Sequence, residues 1–149
     1  MSVKDFFTNK PDEEKFKISE ESATKEIQKI LDYYEIDIEK DFDDEYRKVF
    51  DQSLSKAIKA VRLGRLSIKI DNEGIKITQS LKSGSTTITY REIDGVAKIA
   101  TRSVGKDDSF GKLYEIMGSL SGLGSDAITK LKGVDLSLCE CLGAIFLQV

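Results

Sequence analysis

The sequence predicts an α+β fold: an N-terminal helical arm, a three-stranded antiparallel β-meander, and a C-terminal cluster of three or four short helices. Three observations predict it. All eleven glycines lie at or after Gly64. Apolar residues recur at helical spacing in the first part, alternate with period two over residues 66–90, and return to helical spacing beyond. Charge divides at the same place. Residues 1–63 carry 16 acidic and 12 basic side chains, net −4, and residues 64–149 carry 10 and 11, net +1. Such a break separates a glycine-free helical part from a turn-rich one. The organisation expected is a loosely ordered segment over 1–18, an acidic arm of two helices over 19–63, and an α+β core domain over 64–149. Phe6 and Phe7 are the residues of the first segment able to dock on the core.

The arm opens at Ser19, an N-cap with Glu20 and Glu21 behind it, where carboxylates favour the positive end of a helix. Ile27, Ile30, Leu31 and Tyr34 then mark a helix over about 20–34. Residues 34–38 alternate apolar and polar, as a short edge strand or an extended linker. Asp43 caps a second helix whose apolar stripe is Tyr46, Val49, Phe50, Leu54, Ala57, Ile58 and Val61. Lys56, Lys59 and Arg62 suit the negative pole of its last turns, and Gly64 is the left-handed residue that ends it.

Leu66, Ile68 and Ile70 alternate with polar residues and precede an Asp71–Gly74 turn. Ile75 and Ile77 resume the alternation, Ser83–Ser85 turns again, and the β-branched run Thr86–Tyr90 ends at Arg91. That pattern predicts an antiparallel meander with one apolar face, which needs a helical cover. Val96, Ile99 and Ala100 suggest a short helix opened near Asp94, and residues 103–109 a loop. Phe110, Leu113, Met117 and Leu120 mark a helix over 109–121, stopped by Gly122 and Gly124. Asp126 begins a short helix that Gly133 ends. Asp135 then caps a final helix with Leu138, Leu142, Ile145 and Phe146 on one face.

Composition excludes several chemistries. The chain of 149 residues has no histidine, which removes the usual general base near neutral pH and the nucleophile pairs built on it. Two cysteines, Cys139 and Cys141, cannot complete a four-ligand zinc site alone, and they read as structural thiols. No metal or cofactor is expected, and no catalytic residue is assigned. A net charge of −3 gives no general footprint for nucleic acid. No apolar run reaches the ~18–20 residues that span a bilayer, and residues 1–17 lack the apolar stretch of a signal peptide, so cytoplasmic residence is expected.

The remaining motifs have plain readings. Gly122–Ala127 matches G-x-G-x-x-A, but it follows a helix rather than a strand, so a helix–helix turn is expected. Asp43–Asp44 and Asp107–Asp108 sit where caps and loops favour aspartate. Lys56, Lys59, Arg62 and Arg65 form a small basic patch at the helix-to-sheet junction, accounted for by the helix dipole. The C-terminal third is different, because Ile116, Leu136 and Leu147 fall off the main stripes. Left-over apolar helix surface points to oligomerisation or client binding; the alternative is that all of it is internal core. Ile116, Leu120, Leu136 and Leu147 are the candidate partner-binding residues. Gly118, Gly122 and Gly143 would let a partner helix approach closely.

The order of elements over residues 64–149 resembles the tail assembly chaperones of long-tailed bacteriophages. The resemblance rests on Arg91-Glu92 followed by Asp94-Gly95, on Leu120-Ser121-Gly122-Leu123, and on Leu131-Lys132-Gly133-Val134-Asp135. The two N-terminal helices depart from the compact pattern of that family. The resemblance implies a protein that binds the apolar helices of the tape measure protein. It would keep that client soluble before the tail tube polymerises and be absent from the finished particle, in the cytoplasm of a bacterial host. It also implies that a longer, frameshifted form can exist. Two other functions fit the composition: a structural subunit retained in a phage tail or related assembly, and a small enzyme using carboxylates. A homo-oligomer is compatible with each.

Overall fold

The computed structural model describes residues 16–149 apart from Ser83. Phe6 and Phe7, most of the 1–18 segment, and Ser83 of the second turn lie outside the described residues. The elements are α1 (Glu20–Tyr33), α2 (Ile38–Asp41), α3 (Asp44–Arg62), β1 (Leu66–Asp71), β2 (Gly74–Ser80), β3 (Thr87–Tyr90), α4 (Gly95–Ile99), α5 (Ser109–Ser121), α6 (Ser125–Thr129) and α7 (Gly133–Phe146). This is an α+β fold with a three-stranded antiparallel sheet in the order β1-β2-β3. No helix among the described residues is long and apolar enough to cross a membrane.

The caps form where side-chain chemistry favours them. The Ser19 hydroxyl accepts from the Ser22 N–H at 3.1 Å and opens α1. The Asp43 carboxylate accepts from the Tyr46 N–H at 2.8 Å and opens α3. The Asp94 and Asp108 carboxylates do the same for α4 and α5. Gly64, at φ +76°, takes the left-handed conformation that closes α3.

The sheet has one wet face and one dry face. Ser67, Thr78 and Thr89 share the polar face, where the two threonine hydroxyls lie 3.3 Å apart. On the other face, Leu66, Gln79 and Ile88 form one row, and Ile68, Ile77 and Tyr90 the next. Helices α1 and α3 pack on β1, and α5 packs on β3. Inside the dry face, Gln79 is completely buried, and both polar atoms of its amide are hydrogen-bonded. Its amide oxygen accepts from the Tyr90 hydroxyl at 2.7 Å, and its amide nitrogen donates to the Asp135 carbonyl at 2.8 Å.

Four local expectations are corrected. Residues 34–38 form neither a strand nor an extended linker. Glu35 turns the chain at φ +56°, and Asp37 then caps the one-turn helix α2. The short helix α6 begins at Ser125, with Gly124 rather than an aspartate at its cap. Asp135 does not cap α7, which starts two residues earlier, so Gly133 opens that helix rather than ending α6. The Asp135 carboxylate instead accepts from the Lys82 backbone N–H, at 3.0 and 3.2 Å, tying the β2–β3 hairpin to α7. In α4, Ala97 is the buried residue, while Val96 and Ile99 are exposed.

The break at residue 63 is a break in composition, not in packing. Ala23, Ile27, Ile30 and Leu31 of α1 and Phe50, Ala57 and Val61 of α3 share one apolar cluster with the sheet and with α5 and α7. Tyr34 stacks edge-on against Phe146, with ring centres 5.9 Å apart. Its hydroxyl also accepts from the Ile93 N–H at 3.2 Å, while the Tyr33 hydroxyl donates to the Glu92 carboxylate. Residues 16–18 are held too: the Lys17 N–H donates to the Arg62 carbonyl at 2.7 Å, and the Arg62 guanidinium lies over the Phe16 ring.

Candidate functional site

Helices α3 and α7 run antiparallel. Near one end the Gln148 amide donates to the Tyr46 hydroxyl at 2.6 Å, and at the other Leu63 and Val134 share one concavity. Each helix contributes a stripe to the outer face of the pair. On α3, Tyr46, Val49, Ser53, Lys56 and Ala60 follow one another three or four residues apart, which places them on one side of the helix. On α7 the matching stripe is Val134, Ser137, Cys141 and Ala144. Small residues form its middle, so a groove lies between the helices.

The groove consists of two adjoining concavities, a wider and a narrower half, that share Lys56 and Ser137 in their walls. The wider half, about 450 Å³, lies between α3, α7 and the first turn of α5. Val49 and Phe110 stand on its rim, each 62% exposed, and Leu113, Cys141 and Ala144 line it. The narrower half, about 240 Å³, adds Lys59, Leu63, Arg65 and Val134. Apolar side chains this exposed, gathered along one concave surface, are the usual mark of a protein-docking site rather than scatter.

The candidate residues divide. Leu147 is half-buried and lines the wide half of the groove. Leu136 is half-buried outside it. Ile116 and Leu120 are core residues, 4% and 2% exposed, so neither side chain is presented to a partner. Gly118 is buried where α5 meets the backbone of Gly124 and Ser125, and Gly143 is buried against Leu113. Both permit close packing within the chain. Gly122 is the exposed left-handed cap of α5, at φ +74°. The G-x-G-x-x-A string is the α5–α6 turn.

Tyr46, Val49 and Phe110 escaped the sequence reading because each sits on a regular helical stripe and so reads as core. The signal was width. The α3 stripe runs from Tyr46 through Val49 and Phe50 to Val61, and one packing seam covers only its Phe50–Ala57–Val61 side.

The buried thiols face apart. Cys139 sits beside Tyr90, and burial pushes its thiol up to about 11. Cys141 faces Ser53 and Lys56, and burial raises it as well. Neither is an activated nucleophile, which would need a lowered pKa. A second, acidic cleft of about 680 Å³ lies between α1, α2 and α3, with Asp32, Glu35, Asp37, Glu39 and Asp51 along it beside Arg47. Among the described residues, no group of three or more carboxylates and thiols is placed to hold a metal ion. The chain matches no family model, no curated protein and no solved structure.

Proposed function

We propose that this protein binds an apolar helix of a client protein in the α3–α7 groove, acting as a phage tail assembly chaperone for the tape measure protein. The observation that carries the reading is the groove itself, with an apolar rim at Val49 and Phe110 and a floor of small residues. A docked helix needs such a shape: large side chains insert beside the rim, and the backbone comes close where the floor is small. The stripe from Tyr46 to Leu63 spans 17 residues of rise, roughly 26 Å, which matches about five turns of a bound helix. Masking of this kind needs no nucleotide. It shifts the client from aggregated to bound by differential affinity alone. The order of elements over residues 64–149, with Leu120-Ser121-Gly122-Leu123 and Leu131-Lys132-Gly133-Val134-Asp135 in place, supports the tape measure protein as that client.

The test is co-expression with a long, apolar, helical protein of the tape measure type. The full chain should raise the soluble fraction of the client. Val49→Asp and Phe110→Asp should abolish that effect while keeping the melting temperature within about 3 °C, as exposed positions do. Unchanged client solubility with both variants would eliminate the groove as the binding surface.

A further inference from the structure

The groove is not uniform along its length, and its asymmetry gives the bound segment a direction. At the narrow half, Lys56, Lys59 and Arg65 meet a single carboxylate, Asp135. That carboxylate is already engaged by the Lys82 backbone N–H. Among the described residues, none of the three cations lies in an ion pair. At the wide half the ionic side chains balance, Lys56 against Glu140, and the surface is otherwise largely apolar. Along the α3–α7 seam the two adjoining concavities therefore run from an apolar end at Tyr46 and Leu147 to a cationic end at Lys59 and Arg65.

The geometry points to one occupant: a partner's amphipathic helix of about five turns that carries a cluster of acidic residues at one end and seats that end against Lys59 and Arg65. The inference rests on the groove-binding reading above and adds the charge and polarity of the partner. Helix dipoles explain why Lys56 and Lys59 are stable in the last turns of α3. They do not explain Arg65, which lies beyond the helix and beyond Gly64 yet lines the same concavity. The local excess of cations attracts an anionic segment and disfavours a cationic one, fixing register more than raw affinity. The apolar end contributes binding area without specifying direction.

The probes are labelled Leu/Ala-based helical peptides of about 18 residues, long enough for the groove. They carry three Glu at the N-terminal end, three Glu at the C-terminal end, or three Lys at either end. Binding to the full 149-residue chain is read by fluorescence anisotropy at about 50 mM and about 500 mM salt, where screening separates charge from apolar contact. One of the two Glu-ended peptides should bind about tenfold more tightly than its Lys-ended counterpart at low salt, and lose most of that advantage at high salt. Lys59→Glu with Arg65→Glu should erase or reverse the preference. The single Lys59→Glu change, at an exposed position, should weaken it with the fold intact. Equal binding of Glu-ended and Lys-ended peptides overturns the inference, as does a preference that survives both variants, while binding still lost on Val49→Asp leaves the groove reading standing. Failure of every peptide to bind, or binding indifferent to Val49→Asp, overturns both. If the chain instead self-associates and Val49→Asp abolishes that, the occupant is a second copy and the acidic partner helix is overturned.

Discussion

Gln79 shows how much of this fold turns on one polar side chain. It sits on the dry face of β2, in register with Leu66 and Ile88, and its two amide atoms join Tyr90 of the sheet to the first turn of α7. Replacing it with Leu keeps the volume but strands the Tyr90 hydroxyl and removes the donor to the Asp135 carbonyl. A buried group left unpaired costs about 1–3 kcal/mol, and in a chain of this length each kcal/mol moves the midpoint by about 2–4 °C, so Gln79→Leu should lower the melting temperature by roughly 2–12 °C. Calorimetry of the two proteins checks this, and an unchanged transition would mean that water replaces the amide. Buried thiol and phenol groups make the fold sensitive to alkali. Burial pushes the Cys139 thiol from 9.0 to about 11, and the Tyr34 hydroxyl from 10.0 to about 12. Both shifts favour the neutral form in the folded chain. The unfolded chain therefore loses these protons first, and stability must fall as pH rises from about 9 towards 12. Melting temperatures measured across that range should decline, and Cys139→Ala should flatten the early part of the fall. Gln79 was not legible in advance, because a lone glutamine in an alternating strand looks like any solvent-facing residue. Only the tertiary partners, 11 and 56 residues away, give it a role.

At the scale of elements, local chemistry explains most of what was legible. Ser19 and Asp43 open helices because a short oxygen-bearing side chain reaches a free N–H two or three residues on. The meander was legible because period two is specific to a half-buried strand and the turns carry Gly74 and Gly84 at positive φ. Where two signals compete, local reading fails. Gly133 follows a short helix and has φ +57°, both marks of an ending, yet it opens α7 because Val134 and Asp135 continue straight into the helix. Residues 34–38 alternate like a strand, but no sheet edge receives them, and Asp37 caps a helical turn instead. Gly118 is the sharpest test of packing between elements. A Cβ there would meet the backbone of Gly124 and Ser125, which cannot rotate away as a side chain can. Gly118→Ala should cost about 1–3 kcal/mol by forcing α5 and α6 apart, although alanine is the better helix former. Denaturant unfolding measures this directly. A neutral or stabilising result would show that the α5–α6 turn shifts freely.

For the whole molecule, the composition break misleads about architecture while pointing to real local differences. A glycine-free acidic segment before a turn-rich one invites the view that residues 1–42 can be removed from a core that begins at Gly64. The packing argues otherwise. Ala23, Ile27, Ile30 and Leu31 are fully buried in the cluster that also holds Ile75, Ile77 and Phe146, and Phe42 packs on Phe50 with ring centres 4.9 Å apart. Helix α1 carries no glycine because it is a regular helix, and it is charged because only the face of Ala23, Ile27, Ile30 and Leu31 is covered. Removing Ile27, Ile30 and Leu31 forfeits their burial and uncovers the surface they pack on, about 1.5–3 kcal/mol for each side chain. That total is comparable to the roughly 5–15 kcal/mol that holds an entire domain of this kind together. Deleting residues 1–42 should therefore abolish cooperative thermal unfolding, with far-UV circular dichroism retaining helix signal but the transition broadening. A sharp transition within about 5 °C of the full chain's would instead make α1 an appendage. The groove raises the stakes of that experiment. Its α3 wall is braced from behind by α1, so a shortened chain that still folded but no longer bound an apolar helix would locate α1 as the support that keeps Val49 and Tyr46 facing outward.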